Sequence, residues 1–226
     1  MHIAEIFYSI QGEGMLTGMP SIFVRTSGCN LRCSFCDTPY TSWNPEGTHF
    51  SLQTILDKIS VWNCSHVVVT GGEPLIAPQI LELCQELRKQ KKHITIETAA
   101  TVYKPVAADL MSLSPKLSNS TPAASTGWAE RHQASRIQLE VIQQYLANYE
   151  CQFKFVMDQP DDIEEIRSLL SNFPCFSADR IFLMPQAIDA STLASKGRWI
   201  ADLCKQYGFR LGTRIHIDLW GHSRGT

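Results

Sequence analysis

Short apolar strands that alternate with amphipathic helices restrict the fold of this chain more than any other feature. Period-two or continuous apolar runs predict strands over residues 3–10, 21–25, 66–69, 94–98, 110–113, 153–157, 181–184 and 214–219. Three- and four-residue apolar spacing predicts helices over residues 51–59, 78–91, 136–148, 162–172 and 192–207. This order favours a parallel sheet with crossover helices, either open or curled toward a barrel.

Length and composition exclude several classes of protein. The 226 residues fit a single domain over 1–226, and 44% hydrophobic with 19% charged residues is ordinary for a globular enzyme. A net charge of −2 gives no basic face for nucleic acid. No apolar stretch reaches the roughly 18 residues that span a bilayer, and the N-terminus lacks a signal peptide's pattern. We therefore expect a cytoplasmic protein that binds neither nucleic acid nor membrane, with a mobile surface loop at the Ser-, Thr-, Asn- and Pro-rich residues 117–127.

The eight cysteines divide into two groups. Five are scattered among apolar neighbours and are predicted to be core thiols: Cys64, Cys84, Cys151, Cys175 and Cys204. The other three, Cys29, Cys33 and Cys36, lie within eight residues at offsets of zero, four and seven. A reducing compartment argues against disulfides, so this cluster calls for a different explanation.

Three close thiolates favour an iron–sulfur cluster. Such clusters are held by cysteine thiolates, usually four, and three would leave one iron open to a further ligand. A structural zinc site needs a closed set of four ligands, the fourth coming from a distant His or Cys. A thioredoxin-like pair would use Cys33 and Cys36 and leave Cys29 unexplained. Both alternatives stay open on spacing alone.

Two motifs together resemble the radical S-adenosylmethionine (SAM) superfamily. The first is CxxxCxxC with the aromatic Phe35 before its last cysteine, and the second is Thr70-Gly71-Gly72-Glu73-Pro74 after a predicted strand. The resemblance implies a [4Fe–4S] cluster on Cys29, Cys33 and Cys36, with SAM on the open iron as the source of a 5′-deoxyadenosyl radical. It also implies an α/β fold, a partial, curled TIM-like barrel of mainly parallel strands with the cluster loop at its C-terminal side.

The same resemblance implies a set of SAM contacts. The two glycines permit a close approach of backbone to ligand, and Glu73 helps to hold that geometry. Lys116 suits the SAM carboxylate, while Gln186 is a weaker candidate. The implied SAM-binding residues are Phe35, Gly71, Gly72, Glu73, Ser114, Pro115, Lys116 and Gln186.

A narrower resemblance, to the 7-carboxy-7-deazaguanine synthase family of queuosine biosynthesis, covers nearly the whole chain. It is carried by the order of Glu5-Ile6-Phe7, Ser9-Ile10-Gln11-Gly12-Glu13-Gly14, Phe23-Val24-Arg25, Cys36-Asp37-Thr38, Glu97-Thr98, Ser114-Pro115-Lys116 and Trp220-Gly221-His222-Ser223-Arg224-Gly225. The implied reaction converts 6-carboxy-5,6,7,8-tetrahydropterin to 7-carboxy-7-deazaguanine and ammonia by radical ring contraction. No protein acid or base is assigned, since the adenosyl radical does the chemistry.

The narrower resemblance also implies a substrate site and a Mg²⁺ ion. Arg25 offers a planar bidentate fork for the substrate carboxylate. Thr38 is the implied Mg²⁺ ligand, a role for which the residue type of Asp37 is also suitable. The implied substrate-binding residues are Gln11, Gly12, Glu13, Arg25, Thr70 and the C-terminal Thr226. One departure is Ala100, where the family usually has glycine, which puts a close backbone approach there in doubt.

The implied partners are the small-molecule pterin, a reducing protein such as flavodoxin, and a second copy of the chain in a homodimer. Two other functions remain to be weighed. A radical SAM activase of a glycyl-radical enzyme would share CxxxCxxC but would not explain Gln11-Gly12-Glu13-Gly14. A non-catalytic, zinc-stabilised binding protein would not need SAM.

Overall fold

A computed structural model describes residues 1–226 and shows one nine-stranded sheet. The sheet begins with an antiparallel pair, β1 (His2–Ile10) and β2 (Pro20–Thr26), and β3 (Thr48–His49) pairs with the outer side of β1. The remaining strands are β4 (His66–Gly71), β5 (His93–Thr98), β6 (Leu110–Leu113), β7 (Cys151–Met157), β8 (Ile181–Pro185) and β9 (Arg210–Leu211).

Eight helices connect and cover these strands. They are α1 (Pro39–Ser42), α2 (Leu52–Ser60), α3 (Ile80–Lys89), α4 (Ala129–Ser135), α5 (Leu139–Asn148), α6 (Asp162–Leu170), α7 (Ala190–Tyr207) and α8 (Ile215–Trp220). Local sequence explains several of their ends. The Ser51 hydroxyl accepts a hydrogen bond from the Thr54 amide at 3.1 Å and begins α2, and Gly208, at φ +73°, ends α7.

The strand order confirms the predicted α/β fold with a partial barrel. From β2 onward the order β2-β4-β5-β6-β7-β8-β9 is entirely parallel. The outermost strands, β3 and β9, do not pair with each other, so the curled sheet stays open. In β4 the consecutive residues Val67, Val68 and Val69 are all buried, as expected for a parallel strand that is covered on both faces. Parallel strands place all their C-terminal ends at one edge, and ligands bind at that edge in open α/β sheets.

The predicted strand over residues 214–219 is wrong, because those residues form α8. Ile215, Ile217 and Leu219 alternate with polar residues in the period of a strand. However, β9 already pairs with the edge of β8, and only Ile217 of this segment is buried. Tertiary context therefore decides the conformation of this short segment over its local pattern.

Four smaller expectations also need correction. The segment 117–127 is not simply a surface loop, because it contains two 3-10 turns and Leu117 and Ser120 are buried. The predicted helix over 136–148 begins later, at Leu139, as α5, and a separate helix, α4, precedes it. The predicted helix start at Pro78 moves to Ile80. Of the five predicted core thiols, Cys175 is exposed. No helix of the structure combines the length and the apolar character that crossing a membrane requires.

Candidate active site

A cavity of about 480 Å³ opens at the C-terminal edge of the parallel strands. The structure brings together on its wall every residue predicted for the cluster, SAM, Mg²⁺ or substrate except Glu73 and Pro115. These residues come from strand ends and the loops that follow them, which explains how positions from 11 to 226 share one site.

The three cysteines of the triplet line this cavity as free, partly exposed thiols. Burial raises the pKa of Cys29 to about 12 and that of Cys33 to about 11. A thiol in such a place becomes a thiolate when a metal binds and displaces its proton. The Cys36 sulfur also lies 3.2 Å from the hydroxyl of buried Ser42, so the site supplies thiol ligands and a polar group beside one of them.

The cysteine arrangement fits a cluster better than a single ion. No group of three His, Cys, Asp or Glu side chains in the structure is placed to ligate one metal ion. A structural zinc ion needs four ligands around a single point, whereas cluster-bound cysteines bind different irons. The donors therefore fit a [4Fe–4S] cluster.

Gly71 and Gly72 pack tightly against the loop that leads into the triplet. Gly71 has φ +142°, a conformation that favours glycine. A Cβ atom on Gly72 would lie 2.2 Å from the Gly28 carbonyl oxygen and 2.7 Å from that of Thr41. The Glu73 amide donates to the same Gly28 oxygen at 2.9 Å. The glycines thus bring the end of β4 against the cysteine loop.

Glu73 lies behind the cavity wall and not on it. It is fully buried, and its carboxylate accepts hydrogen bonds from the Thr98 hydroxyl at 2.8 and 2.9 Å, the Ala99 amide at 2.9 Å and the Leu75 amide at 3.1 Å. No cation bonds to it, and burial raises its pKa despite these donors. Glu73 ties the turn after β4 to the end of β5, which supports the SAM region from behind. Beside it, Lys116 donates to the Ser114 hydroxyl at 2.7 Å, and both line the cavity.

A second group of residues at the cavity forms a charged floor. Lys154 is buried and donates to Glu13 at 2.8 Å and to Glu97 at 3.1 Å. Arg214 donates to the other Glu13 oxygen at 2.9 Å and to the carboxylate of Asp37. Burial alone would raise the pKa of Glu13, but Lys154 and Arg214 hold it well below its usual range. Burial alone would lower the pKa of Lys154, but the carboxylates of Glu13 and Glu97 raise it above its usual range, so Glu13 and Lys154 form an ionised pair at neutral pH.

The loop above this floor is fixed by hydrogen bonds and by the need for glycine. Gln11 donates to Glu97 at 3.2 Å, and its side-chain oxygen accepts from the Glu13 amide at 3.2 Å. A Cβ atom on Gly12 would lie 1.9 Å from Nδ1 of His216, a residue of α8. The helix that replaces the predicted strand is therefore what packs against the Gln11–Glu13 turn.

Arg25 and Thr38 also line the cavity. Arg25 uses its Nε to bond Glu5 at 2.8 Å, and the same Glu5 oxygen accepts from Tyr40 at 2.8 Å. The two terminal nitrogens of Arg25 have no protein acceptor, so its fork remains available at the cavity wall. Thr38 precedes α1, and its hydroxyl accepts from Thr41 at 3.3 Å.

The C-terminal segment also forms part of the wall. Arg224 lies 3.6 Å from the centroid of the Tyr40 ring and bonds Glu46 at 3.0 Å. His222 lies 2.9 Å from the Asp37 carbonyl oxygen. These contacts bring Thr226 to the cavity. Gln186 also lines it, with its side-chain oxygen accepting from Lys196 at 3.2 Å.

Sequence reasoning gave no role to several residues of this site: Ser42, Lys154, Arg214 and His216. One of them had a signal, because Lys154 stands between Phe153 and Phe155 in an otherwise apolar strand, and a buried lysine is almost always paired. Arg214 and His216 had none, since their segment was interpreted as a strand.

Comparison with known proteins identifies the family. The model of the Radical SAM superfamily matches residues 23–117. A protein of Rhodopirellula baltica named 7-carboxy-7-deazaguanine synthase is 44% identical over 99% of this chain and 88% of its own length. A Halobacterium salinarum protein of the same name is 40% identical over 99% of this chain and 92% of its own length. The crystal structure of QueE from Escherichia coli superposes with a TM-score of 0.70 at 25% identity, covering 93% of this chain and 92% of that one.

Identity at this level over nearly the full length confirms the resemblance expected from the motifs, and it disfavours both the glycyl-radical activase and the zinc-stabilised binding protein. Together with the cysteine triplet, the glycine turn and the charged floor, it shows that this chain belongs to the 7-carboxy-7-deazaguanine synthase family of radical SAM enzymes.

Proposed function

We propose that this enzyme converts 6-carboxy-5,6,7,8-tetrahydropterin to 7-carboxy-7-deazaguanine and ammonia. The observation that carries the proposal is one cavity lined by the cysteine triplet, by the Glu13 floor and by the Arg25 fork. The names of the relatives support the product.

Membership of the radical SAM family implies a [4Fe–4S] cluster and SAM. Cys29, Cys33 and Cys36 would hold the cluster. The turn at Gly72 and the ammonium of Lys116 would hold SAM, with Glu73 fixing the turn from behind. Bound there, the cluster and SAM supply a carbon-centred radical that can abstract a hydrogen atom from the substrate.

The charged floor suits the hydrogen-bonding edge of a pterin. Glu13 is held ionised by Lys154 and Arg214, so its carboxylate can accept from the ring's N–H groups, while Gln11 offers both donors and acceptors. Arg25, fixed through its Nε by Glu5, presents two parallel N–H donors to the substrate carboxylate. These contacts would orient the substrate without moving any of its protons.

A Mg²⁺ ion at Thr38 is part of the proposal. Mg²⁺ prefers oxygen ligands and keeps several waters, so one hydroxyl plus substrate oxygens is a reasonable set. Asp37 is less suitable because one of its carboxylate oxygens is already engaged by Arg214. We expect Thr38→Ala to lose most of the Mg²⁺ stimulation of turnover and Thr38→Ser to keep it. An unchanged Mg²⁺ response in Thr38→Ala would remove this role.

The decisive test is anaerobic reconstitution with iron and sulfide, followed by turnover of the carboxytetrahydropterin with SAM and a reductant. We expect a cubane absorption band, cleavage of SAM, and a product with the mass of 7-carboxy-7-deazaguanine. A competent cluster that cleaves SAM yet never yields this product from the pterin would show that the substrate is wrong.

We also infer a single domain over 1–226, supported by one continuous sheet and one main core. A homodimer and reduction by a protein such as flavodoxin are inferred from the family resemblance. Eight unpaired cysteines are typical of a reducing compartment such as the cytoplasm. Sedimentation of the reconstituted enzyme tests the dimer, and a monomer would contradict it. Reduction of the cluster by reduced flavodoxin tests the donor, and a cluster that flavodoxin cannot reduce would contradict it.

A further inference from the structure

A buried histidine outside the cavity bonds the backbone of the cysteine loop. His132, on α4, is fully buried. Its Nδ1 lies 3.1 Å from the amide nitrogen of Arg32, the residue immediately before Cys33. Its Nε2 lies 2.9 Å from the hydroxyl of Ser120, which is also fully buried. His132 thus joins the cysteine loop to a segment 12 positions earlier than itself in the chain.

The hydrogen-bond partners fix which nitrogen carries the proton. The Ser120 hydroxyl donates to the Leu117 carbonyl at 2.6 Å, so its oxygen accepts from the Nε2–H of His132. Nδ1 is then unprotonated and accepts from the Arg32 amide. Burial and the nearby Arg136 and Lys116 lower the pKa of His132 to about 4, which keeps this neutral form.

Ser120 bonds the other side of Cys33 as well. The carbonyl oxygen of Ser120 accepts from the amide of Ser34 at 2.9 Å. The two backbone N–H groups that flank Cys33 therefore bond one histidine–serine pair. Neither partner lines the cavity or touches a thiol, so any effect on the cluster must pass through the backbone.

We propose that His132 and Ser120 are positioning residues that hold the backbone on both sides of Cys33 in the conformation that binds the cluster. This inference rests on the proposed cluster at Cys29, Cys33 and Cys36. An acceptor for the Arg32 amide is needed because an unpaired buried N–H costs about 1–3 kcal/mol, and here that cost falls on the residue next to a ligand.

Two near-isosteric replacements separate the two nitrogens of His132. Asparagine places an oxygen near Nδ1 and keeps the acceptor for Arg32, whereas glutamine places its amide near Nε2 and keeps only the bond to Ser120. We expect reconstituted His132→Gln to lose iron to a chelator roughly tenfold faster than the wild type. His132→Asn should lose iron at close to the wild-type rate. The electron paramagnetic resonance line shape and midpoint potential of the reduced cluster should change only in His132→Gln.

Urea unfolding of the apoproteins distinguishes an effect on the cluster from a general loss of stability. His132→Asn and His132→Gln each lose one hydrogen bond, so their free energies of unfolding should fall by similar amounts. Ser120→Ala serves as a second control: it frees Nε2 but leaves the Arg32 and Ser34 bonds, so its iron loss should stay close to the wild-type rate, as in His132→Asn. Equal rates of iron loss in His132→Asn and His132→Gln, or a wild-type rate in His132→Gln, would overturn the inference. The proposed function would still stand if the wild-type protein formed a cubane cluster. Failure of the wild type to form a cubane would overturn both.

Discussion

Two groups of residues at the cavity are built in different ways: the cysteine end, Cys29 to Cys36, and the charged end, made of Glu13, Glu97, Lys154 and Arg214. The cysteine end comes from one stretch of eight residues, Cys29 to Cys36, surrounded by backbone groups and hydroxyls. The charged end brings together Glu13, Glu97, Lys154 and Arg214, and its Arg214–Glu13 bond joins residues 201 positions apart. One end is a local motif, and the other exists only after the sheet has formed.

The pKa shifts of two carboxylates, one near each end, also differ. Glu73, behind the cysteine end, is bonded only by neutral donors and has a raised pKa. Glu13, at the charged end, is bonded by two cations and has a lowered pKa. The shifts are opposite because the two cations bonded to Glu13 outweigh its loss of solvation, whereas the neutral donors to Glu73 and the more distant Lys116 do not outweigh the effect of its burial. The cysteine end therefore depends on geometry and the charged end on ion pairing, and variants at each end should fail differently.

The largest effect is expected at the cysteine end. Cys33→Ser removes one of three cluster ligands, so the reconstituted variant should show no cubane absorption and no detectable SAM cleavage. Its unfolding free energy should stay close to that of the wild-type apoprotein, because the serine side chain has nearly the same shape. Cys175→Ser, at an exposed thiol, is the matched control and should retain both properties. SAM cleavage by Cys33→Ser at the wild-type rate would contradict the ligand assignment.

Removing a cation from the charged end should mainly reduce the free energy of unfolding. Lys154→Met leaves Glu97 without its cation and Glu13 with only Arg214, which should cost about 3–5 kcal/mol in urea unfolding, as for other buried pairs that lose one partner. Lys89→Met removes an exposed ion pair with Glu86 and should change stability by less than about 0.5 kcal/mol. Equal effects of the two variants would show that the buried floor has no special energetic role.

The pH dependence of stability should distinguish the two carboxylates. A lowered folded-state pKa means that Glu13 stabilises the fold fully above its unfolded pKa of about 4.3, and this contribution is lost as the pH falls further. Glu13→Gln should remove up to about 1.4 kcal/mol per pH unit from the acid slope below pH 4. Glu73→Gln should leave that acid slope in place, because the raised pKa of Glu73 acts in the opposite direction, above its unfolded value. Urea unfolding at several pH values between 3 and 7 measures the acid slope of each variant. Identical slopes in Glu13→Gln and Glu73→Gln would refute the distinction.

The smallest effect concerns the hydroxyl beside Cys36. Hydrogen bonds to cluster sulfurs influence reduction potential, and Ser42 has Cys36 as its side-chain partner at 3.2 Å. Ser42→Ala should lower the midpoint potential by on the order of 50 mV, which is about 1 kcal/mol for one electron. Redox titration monitored by electron paramagnetic resonance measures the shift, with the exposed Ser60→Ala as a control. A potential that matches the control would show that this hydroxyl does not act on the cluster.

The sequence predicts the local motifs of this site better than the contacts between distant positions. The cysteine triplet and the Gly71–Gly72 turn are short motifs, so their chemistry and their position after strands could be read directly. The strands of the sheet could also be predicted, because β4 and β8 contain continuous apolar runs and β5 alternates apolar with polar residues. The family resemblance supplied Glu13 and Arg25 as single residues, but it did not supply the partners that determine their charge.

The remainder depends on contacts between distant positions. Arg214 and His216 lie in and beside a segment whose period-two pattern indicates a strand, and only the pairing of β9 with β8 leaves that segment free to form α8. His132 and Ser120 lie in or next to a polar stretch that local composition describes as a loop. Their importance follows from hydrogen bonds to Arg32 and Ser34, which no local pattern encodes.

Ala100 has a consequence for how this enzyme can change over evolutionary time. Its φ of +56° lies in the left-handed region, and its methyl group is fully buried. The conformation costs an alanine about 1–2 kcal/mol. Glycine would remove that cost but lose about 0.8 kcal/mol of methyl burial and roughly 0.4–1 kcal/mol through the freedom of the unfolded chain. These amounts nearly cancel, so alanine and glycine should be almost interchangeable here, and genetic drift alone can account for which of the two a lineage carries.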